Sequence, residues 1–268
     1  MTPGVAKSRK ELFHLPYPEA NKVLINAHNF TPATFDPSVN GKTPVVAWVP
    51  SQDDAGNGTA TLSSLVGSVT GALTSMDPAT DWVADTGAGG VRRLDMDGSN
   101  DYIISSIEVA VQQRTMNIWV YLTSLPASTM HVCGRVNGLN SLIVEGNLVI
   151  STAGKVYGYC FDSAARTTSI TDPTVIAANT WTMLSLTLDG TTAKAWVNGV
   201  EVGSVACTSP DFSGVYTAPN LMVGGQSGVV MAGIFGAFRW DEFCLWDQAL
   251  TGSDLLALFA SGTGRGNR

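Results

Sequence analysis

Charge is scarce in this 268-residue chain: 14% of residues are charged, 15 basic against 22 acidic, for a net charge of −7. With no basic stripe to neutralise phosphates, nucleic acid is excluded as the main partner. Glutamate is rarer still, limited to Glu11, Glu19, Glu108, Glu145, Glu201 and Glu242. Glycoside hydrolysis needs two carboxylates facing each other at about 5–9 Å. The nearest candidates, Asp241 and Glu242, are adjacent and so alternate to opposite faces of an extended strand. Of three histidines only His131 lies beyond residue 43, and no Gly-x-Ser-x-Gly turn accompanies it, so Ser–His–Asp catalysis lacks its parts and His131 reads as a surface or core residue. Cys133, Cys160, Cys207 and Cys244 show no CxxC spacing, which argues against zinc and predicts four buried thiols in a reducing compartment. No apolar run reaches the ~18 residues that span a bilayer. The opening Met1–Lys10 has no apolar core of a secretory signal, so the chain is expected to be made in the cytoplasm.

What the chain does have is turn chemistry: 28 Gly and 12 Pro with 44% hydrophobic residues, the profile of a turn-rich β protein. Residues 1–43 carry +2, leaving −9 on the remainder. Pro3, Pro16, Pro18, Pro32 and Pro37 break regular structure there, predicting an extended arm for docking or assembly. Its candidate contact residues are Lys7, Arg9, Lys10, Phe13 and Tyr17. From residue 45 short apolar segments recur between Gly, Asp, Asn and Ser clusters: 45–49, 94–96, 102–104, 116–122, 141–144, 148–150 and 156–161. That spacing predicts strands of a β-sandwich or jelly roll.

The densest segment is Trp181–Gly203. Met183, Ser185 and Thr187 alternate with Leu184, Leu186 and Leu188, and Asp189-Gly190 and Asn198-Gly199 supply two hairpin turns, predicting an antiparallel meander. One helix is expected at 251–261, with Thr251 and Asp254 as a capping-box start and Gly262 as C-cap. Residues 263–268 form a polar tail.

Four ordered blocks share a likeness. Met96-Asp-Gly-Ser-Asn-Asp-Tyr-Ile103, Asn117-Ile-Trp-Val120, the Trp181 meander, and Trp240-Asp-Glu-Phe-Cys-Leu-Trp246 with Gln248-Ala-Leu-Thr251 resemble, in order, the signature strands of the laminin G-like, concanavalin A-like lectin/glucanase jelly rolls. The resemblance spans about residues 44–262 and implies an all-β sandwich of two antiparallel sheets with one short C-terminal helix. It mostly implies binding rather than catalysis. Asn100 replaces the first of the family's paired acidic residues, Cys244 stands where a long polar residue is usual, and residues 1–43 match nothing in the family.

Binding could use aromatics: Trp196, on the face of Lys194, either packs under another element or is presented for stacking, and Trp240 and Trp246 raise the same alternative. Trp48, Trp119 and Trp181 read as core. No cofactor is required, but the resemblance and the oxygen ligands of Asp97, Asn100 and Asp101, with Asp241 in the closing strand, make calcium an option against plain turn capping. An arm on a lectin-like body made without a signal suits a virion protein, such as a phage capsid decoration or a tail or fibre component. Capsid or tail proteins, further copies of itself, and glycans would then be its partners. A stand-alone carbohydrate-binding module is the alternative and a glycoside hydrolase the third reading.

Overall fold

The structure is a computed structural model describing residues 36–52, 60–77, 79–83, 93–107, 113–137, 143–161, 166–168, 175–207, 219–225 and 235–260. The predicted arm contacts Lys7, Arg9, Lys10, Phe13 and Tyr17 lie outside these residues. Residues 36–268 form one compact unit. The chain runs through β1 (Val46–Trp48), a 3-10 turn (Pro50–Gln52), β2 (Thr61–Ser63), β3 (Thr70–Thr74), β4 (Trp82–Val83), β5 (Arg93–Asp97) and β6 (Tyr102–Ser106). It continues through β7 (Arg114–Tyr121), β8 (Met130–Asn137), β9 (Ile143–Ile150), β10 (Val156–Phe161) and β11 (Arg166–Thr168). It closes with β12 (Trp181–Leu188), β13 (Thr192–Val197), β14 (Val200–Ala206), β15 (Pro219–Val223), β16 (Ala237–Trp246) and helix α1 (Gly252–Phe259).

These strands make two antiparallel sheets, as the segment spacing predicts. Sheet one runs β14-β13-β12-β7-β16-β5-β4, with β1 also paired to β16; sheet two runs β11-β10-β9-β8-β15-β6-β3-β2. The meander is present: Asn198 and Gly199 take φ of 53° and 77°, both left-handed as a tight two-residue hairpin requires. Asp189 caps the other turn, its carboxylate accepting from Thr191 N–H at 2.8 Å and Thr192 N–H at 2.7 Å. Two expectations change in detail. The Gly/Thr/Ser-rich stretch before Trp82, where no strand is predicted, contains β2 and β3, and the described part of the 141–144 segment joins 148–150 in one strand, β9, through Gly146 at φ 150°.

Between the sheets lies a core that includes Trp48, Leu94, Ile118, Val132, Leu148, Leu184, Leu186, Val223, Phe238 and Trp240. Sheet one is also buried on part of its outer face. There Trp119, Met183, Trp196, Cys244 and Trp246 pack with Val39, Leu250, Leu255 and Leu258. Each fully buried large apolar side chain contributes about 1.5–3 kcal/mol, so this second layer is a substantial part of the fold. Thr251 caps α1 with the predicted capping box, but the C-cap is Ala260, left-handed at φ 46°, not Gly262. Residues 36–43, placed by composition in the arm, clasp this helix: Asn40 donates to Asp254 at 2.8 Å and the Lys42 ammonium pairs with the same carboxylate.

One irregularity changes a reading made from alternation. Phe238, Trp240, Phe243 and Leu245 all face the core, so the alternation slips by one residue between Trp240 and Phe243. The register slips there too, Asp241 opposing Trp119 and Cys244 opposing Asn117, with Glu242 at φ 50° as the extra residue of a bulge. Asp241 and Glu242 therefore do not point to opposite faces of a regular strand; both are buried, and Glu242 N–H donates to the Asp241 carboxylate at 3.0 Å.

The cysteines divide as well. Cys133 and Cys244 are buried thiols, and burial pushes Cys133 well above its ordinary pKa. Cys207 is disulfide-bonded, so the expectation of four reduced thiols fails. No helix among the described residues is long and apolar enough to cross a membrane.

Candidate functional site

The candidate ligand tryptophans turn out to be structural. Trp196 is 8% exposed; its indole N–H donates to Thr187 Oγ1 at 3.0 Å, and its ring lies beneath Gly252 at the start of α1. Helix α1 covers this tryptophan, so it is not an open stacking platform. Lys194, its ammonium 5.9 Å from that ring, pairs with Glu201 at 2.9 Å. Trp240 is in the inter-sheet core and Trp246 in the outer layer, where its indole donates to Lys42 carbonyl at 3.3 Å; both are fully buried.

Of the proposed calcium ligands the fold brings Asp97 and Asp101 together but not the full set. Asp97 accepts from Ser99 N–H at 2.6 Å and Asp101 from Asp97 N–H at 2.8 Å, so both carboxylates close their own turn. Burial, with Asp97 and Asp81 nearby, raises Asp101 to about 6. Asn100 is exposed. Asp97 sits opposite Ala237, four residues along β16 from Asp241, roughly 13 Å at the rise of a strand. Asp241 instead accepts from Ser51 N–H at 3.3 Å and pairs with Arg93 at 3.4 Å, both side chains being buried.

The outer face of sheet one holds a different, less buried arrangement, whose Trp181 packs against the edge of the outer layer. Pairing places Trp181 opposite Tyr121, Tyr121 opposite Arg239, and Arg239 opposite Asp95, so four strands contribute to one cross-strand row. All four side chains are half-buried. The Tyr121 and Trp181 rings lie 5.5 Å apart at 45°. Arg239 Nε donates to Asp95 at 3.0 Å while its guanidinium sits 5.8 Å from the Tyr121 ring. Buried Arg93 lies 4.2 Å from the Trp181 ring, giving it a cation–π floor anchored to Asp241. Two partly open aromatic faces beside a planar guanidinium–carboxylate pair form a stacking surface with directional donors and acceptors at its rim. The sequence reading took Trp181 as core and passed over Tyr121, Arg239 and Asp95. Only the pairing register joins these residues, although the alternation that puts Trp181 on the face of Met183 pointed outward.

The family profile described as the concanavalin A-like lectin/glucanases superfamily, of laminin G type, matches residues 97–255. The chain belongs to this superfamily. Its fold agrees with solved structures in the same class. The botulinum neurotoxin serotype D binding domain is 11% identical, with TM-score 0.56, over 83% of this chain and 52% of that one. The receptor binding domain of the C/D mosaic serotype is 12% identical with TM-score 0.57, over 81% and 51%. The binding domain of neurotoxin DC in complex with SialylT is 10% identical with TM-score 0.55, over 81% and 51%. This chain spans about half the length of these structures, and at such identities the likeness concerns the fold. No curated protein matches the sequence.

Proposed function

We propose that this superfamily member is a non-catalytic carbohydrate-binding module whose sugar lies on the Trp181–Tyr121–Arg239–Asp95 row. The carrying observation is the combination in that row: aromatic faces stack on the apolar side of a pyranose, and an ion-paired Arg and Asp, held in fixed geometry, offer donors and acceptors to its hydroxyls. The similar structures are binding domains, which supports the same class of activity. A binding rather than hydrolytic role is supported by how seven of the described carboxylates are used: Asp95, Asp241, Asp254 and Glu201 are ion-paired, while Asp97, Asp101 and Asp189 cap turns.

A glycan array with the full chain tests this. Binding that falls at least tenfold in Trp181→Ala and in Arg239→Ala is the expected result; no glycan above background, or unchanged binding in both variants, refutes it. The N-terminal segment is the other half of the proposal, an attachment arm in a larger assembly such as a phage capsid or tail fibre. Because residues 36–43 clasp α1, the informative truncation removes residues 1–35 only. Loss of particle or oligomer incorporation with glycan binding intact is expected; unchanged incorporation rules out the arm as anchor.

A further inference from the structure

The outer face of sheet two carries a second arrangement that the sheet-one row does not use. Along β10 and the residue before it, Lys155, Tyr157 and Tyr159 recur at every second position and therefore share one face, with successive side chains about 7 Å apart. Their inward neighbour Val156 is in the inter-sheet core, which fixes the tyrosines outward. The two rings lie 6.4 Å apart at 31°, and all three side chains are half-buried.

Charge distinguishes this strip. Lys42, Arg93, Lys194 and Arg239 are ion-paired and Arg135 donates to the Ile107 carbonyl at 2.9 Å, whereas the Lys155 ammonium has no such partner among the described residues. In a chain of net charge −7 a half-buried lysine without an acid is a place where an anion gains the most. A buried amide stands beside the strip. Asn147, opposite Tyr159 on β9, is fully buried, and its amide nitrogen has no hydrogen-bond partner. Its amide oxygen sits 2.6 Å from His131 Nε2 and occupies the space that a side chain on Gly134 would fill, so the amide is held in place. Having no accessible surface, this amide supports the floor behind Tyr159 and is not itself a ligand contact.

We infer that the Lys155–Tyr157–Tyr159 strip is a second saccharide site, selective for a carboxylated sugar of the uronic or sialic acid type. The sugar rings lie over the tyrosines and its carboxylate meets the Lys155 ammonium. The site is on the sheet opposite the first, so one chain can hold two glycans on opposite faces.

The test is calorimetry on the full chain with a carboxylated oligosaccharide and its carboxyl-reduced counterpart, at low and moderate salt. The native chain is expected to prefer the acid about tenfold, less at higher salt. Lys155→Met should abolish the preference and Lys155→Arg should retain it, while in Trp181→Ala the carboxylated sugar should still bind more tightly than its reduced counterpart. Equal affinity for the two sugars, a preference that survives Lys155→Met, or no binding of the carboxylated sugar overturns the inference. A preference that vanishes in Trp181→Ala also overturns it, by assigning the acid to the first site. Sensitivity of the neutral sugar to Trp181→Ala reports separately on the sheet-one row.

Discussion

Trp119 and Tyr121 are two residues apart on β7 and point to the same side of sheet one, yet they belong to different environments. Trp119 is 1% exposed, with its ring stacked 5.8 Å from Phe259 of α1; Tyr121 is half-buried in the row with Trp181 and Arg239. The strand does not distinguish them. What does is the reach of an eight-residue helix and the segment around Val39 clasped to it, which cover one end of the face and leave the other partly open. On the proposed reading, the binding surface is the part of this aromatic face that α1 and the Val39 segment leave partly open.

The contrast can be broken most forcefully at Trp119. Trp119→Ala removes a buried indole from the outer layer and is expected to cost about 3–5 kcal/mol in chemical denaturation; a cost near that of an exposed site would mean that the helix does not seal this end.

On the opposite sheet, buried His131 gives the comparison a pH axis. Burial lowers its pKa to about 4, against hydrogen bonds to the Asn147 amide oxygen and the Gly225 backbone that raise it. Its unfolded value is near 6.5, so between those values the unfolded chain binds the extra proton and stability falls as pH falls, by about 1 kcal/mol per pH unit. His131→Gln should flatten the denaturation midpoint across pH 4–6.5, and an unchanged slope would contradict the buried neutral imidazole.

A smaller effect belongs to the clasp. Burial would raise Asp254, but Lys42, Asn40 and Thr251 together hold its carboxyl well below the usual carboxylate range. Its contribution is present above about pH 4 and is lost as pH falls through the lower folded value. Asp254→Asn, which also weakens the capping box, should cost about 1–2 kcal/mol at neutral pH and reduce the acid sensitivity of the melting temperature; identical acid curves for the two proteins would exclude this role. Tyr121→Ala should change stability least, about 1 kcal/mol, while sugar affinity falls at least tenfold. A variant that loses stability and keeps affinity would reverse the assignment of the two halves of the face.

The alternation of Met183–Leu188, the two Gly-containing turns and the Thr251–Asp254 box are local signals, and each forms as the sequence implies. What alternation cannot report is how far a distant element extends over a face. Trp196 and Trp181 are both tryptophans at strand positions in one meander; the helix 50 or more residues later buries the first, while the second packs at the edge of the same cluster and stays half-buried. Asp241 and Glu242 show a second limit, since a one-residue bulge cancels the parity argument and appears only when Trp240 and Phe243 are both seen in the core. The Cys207 disulfide shows a third, because spacing along the chain does not report distance in space.

The Lys42–Asp254 clasp also settles how the domain would respond to force. It ties residues near the two ends of the sandwich, 212 positions apart, and β1 beside it runs antiparallel to β16 with Val46 opposite Leu245. A tether pulling on the flanking segments would therefore draw both strands from the same end, loading their hydrogen bonds one after another like the teeth of a zip, not all at once in shear. The clasp is the slider at the open end of that zip: while it holds, β1 and the helix stay seated, and once it parts, the strand behind it has little mechanical resistance of its own.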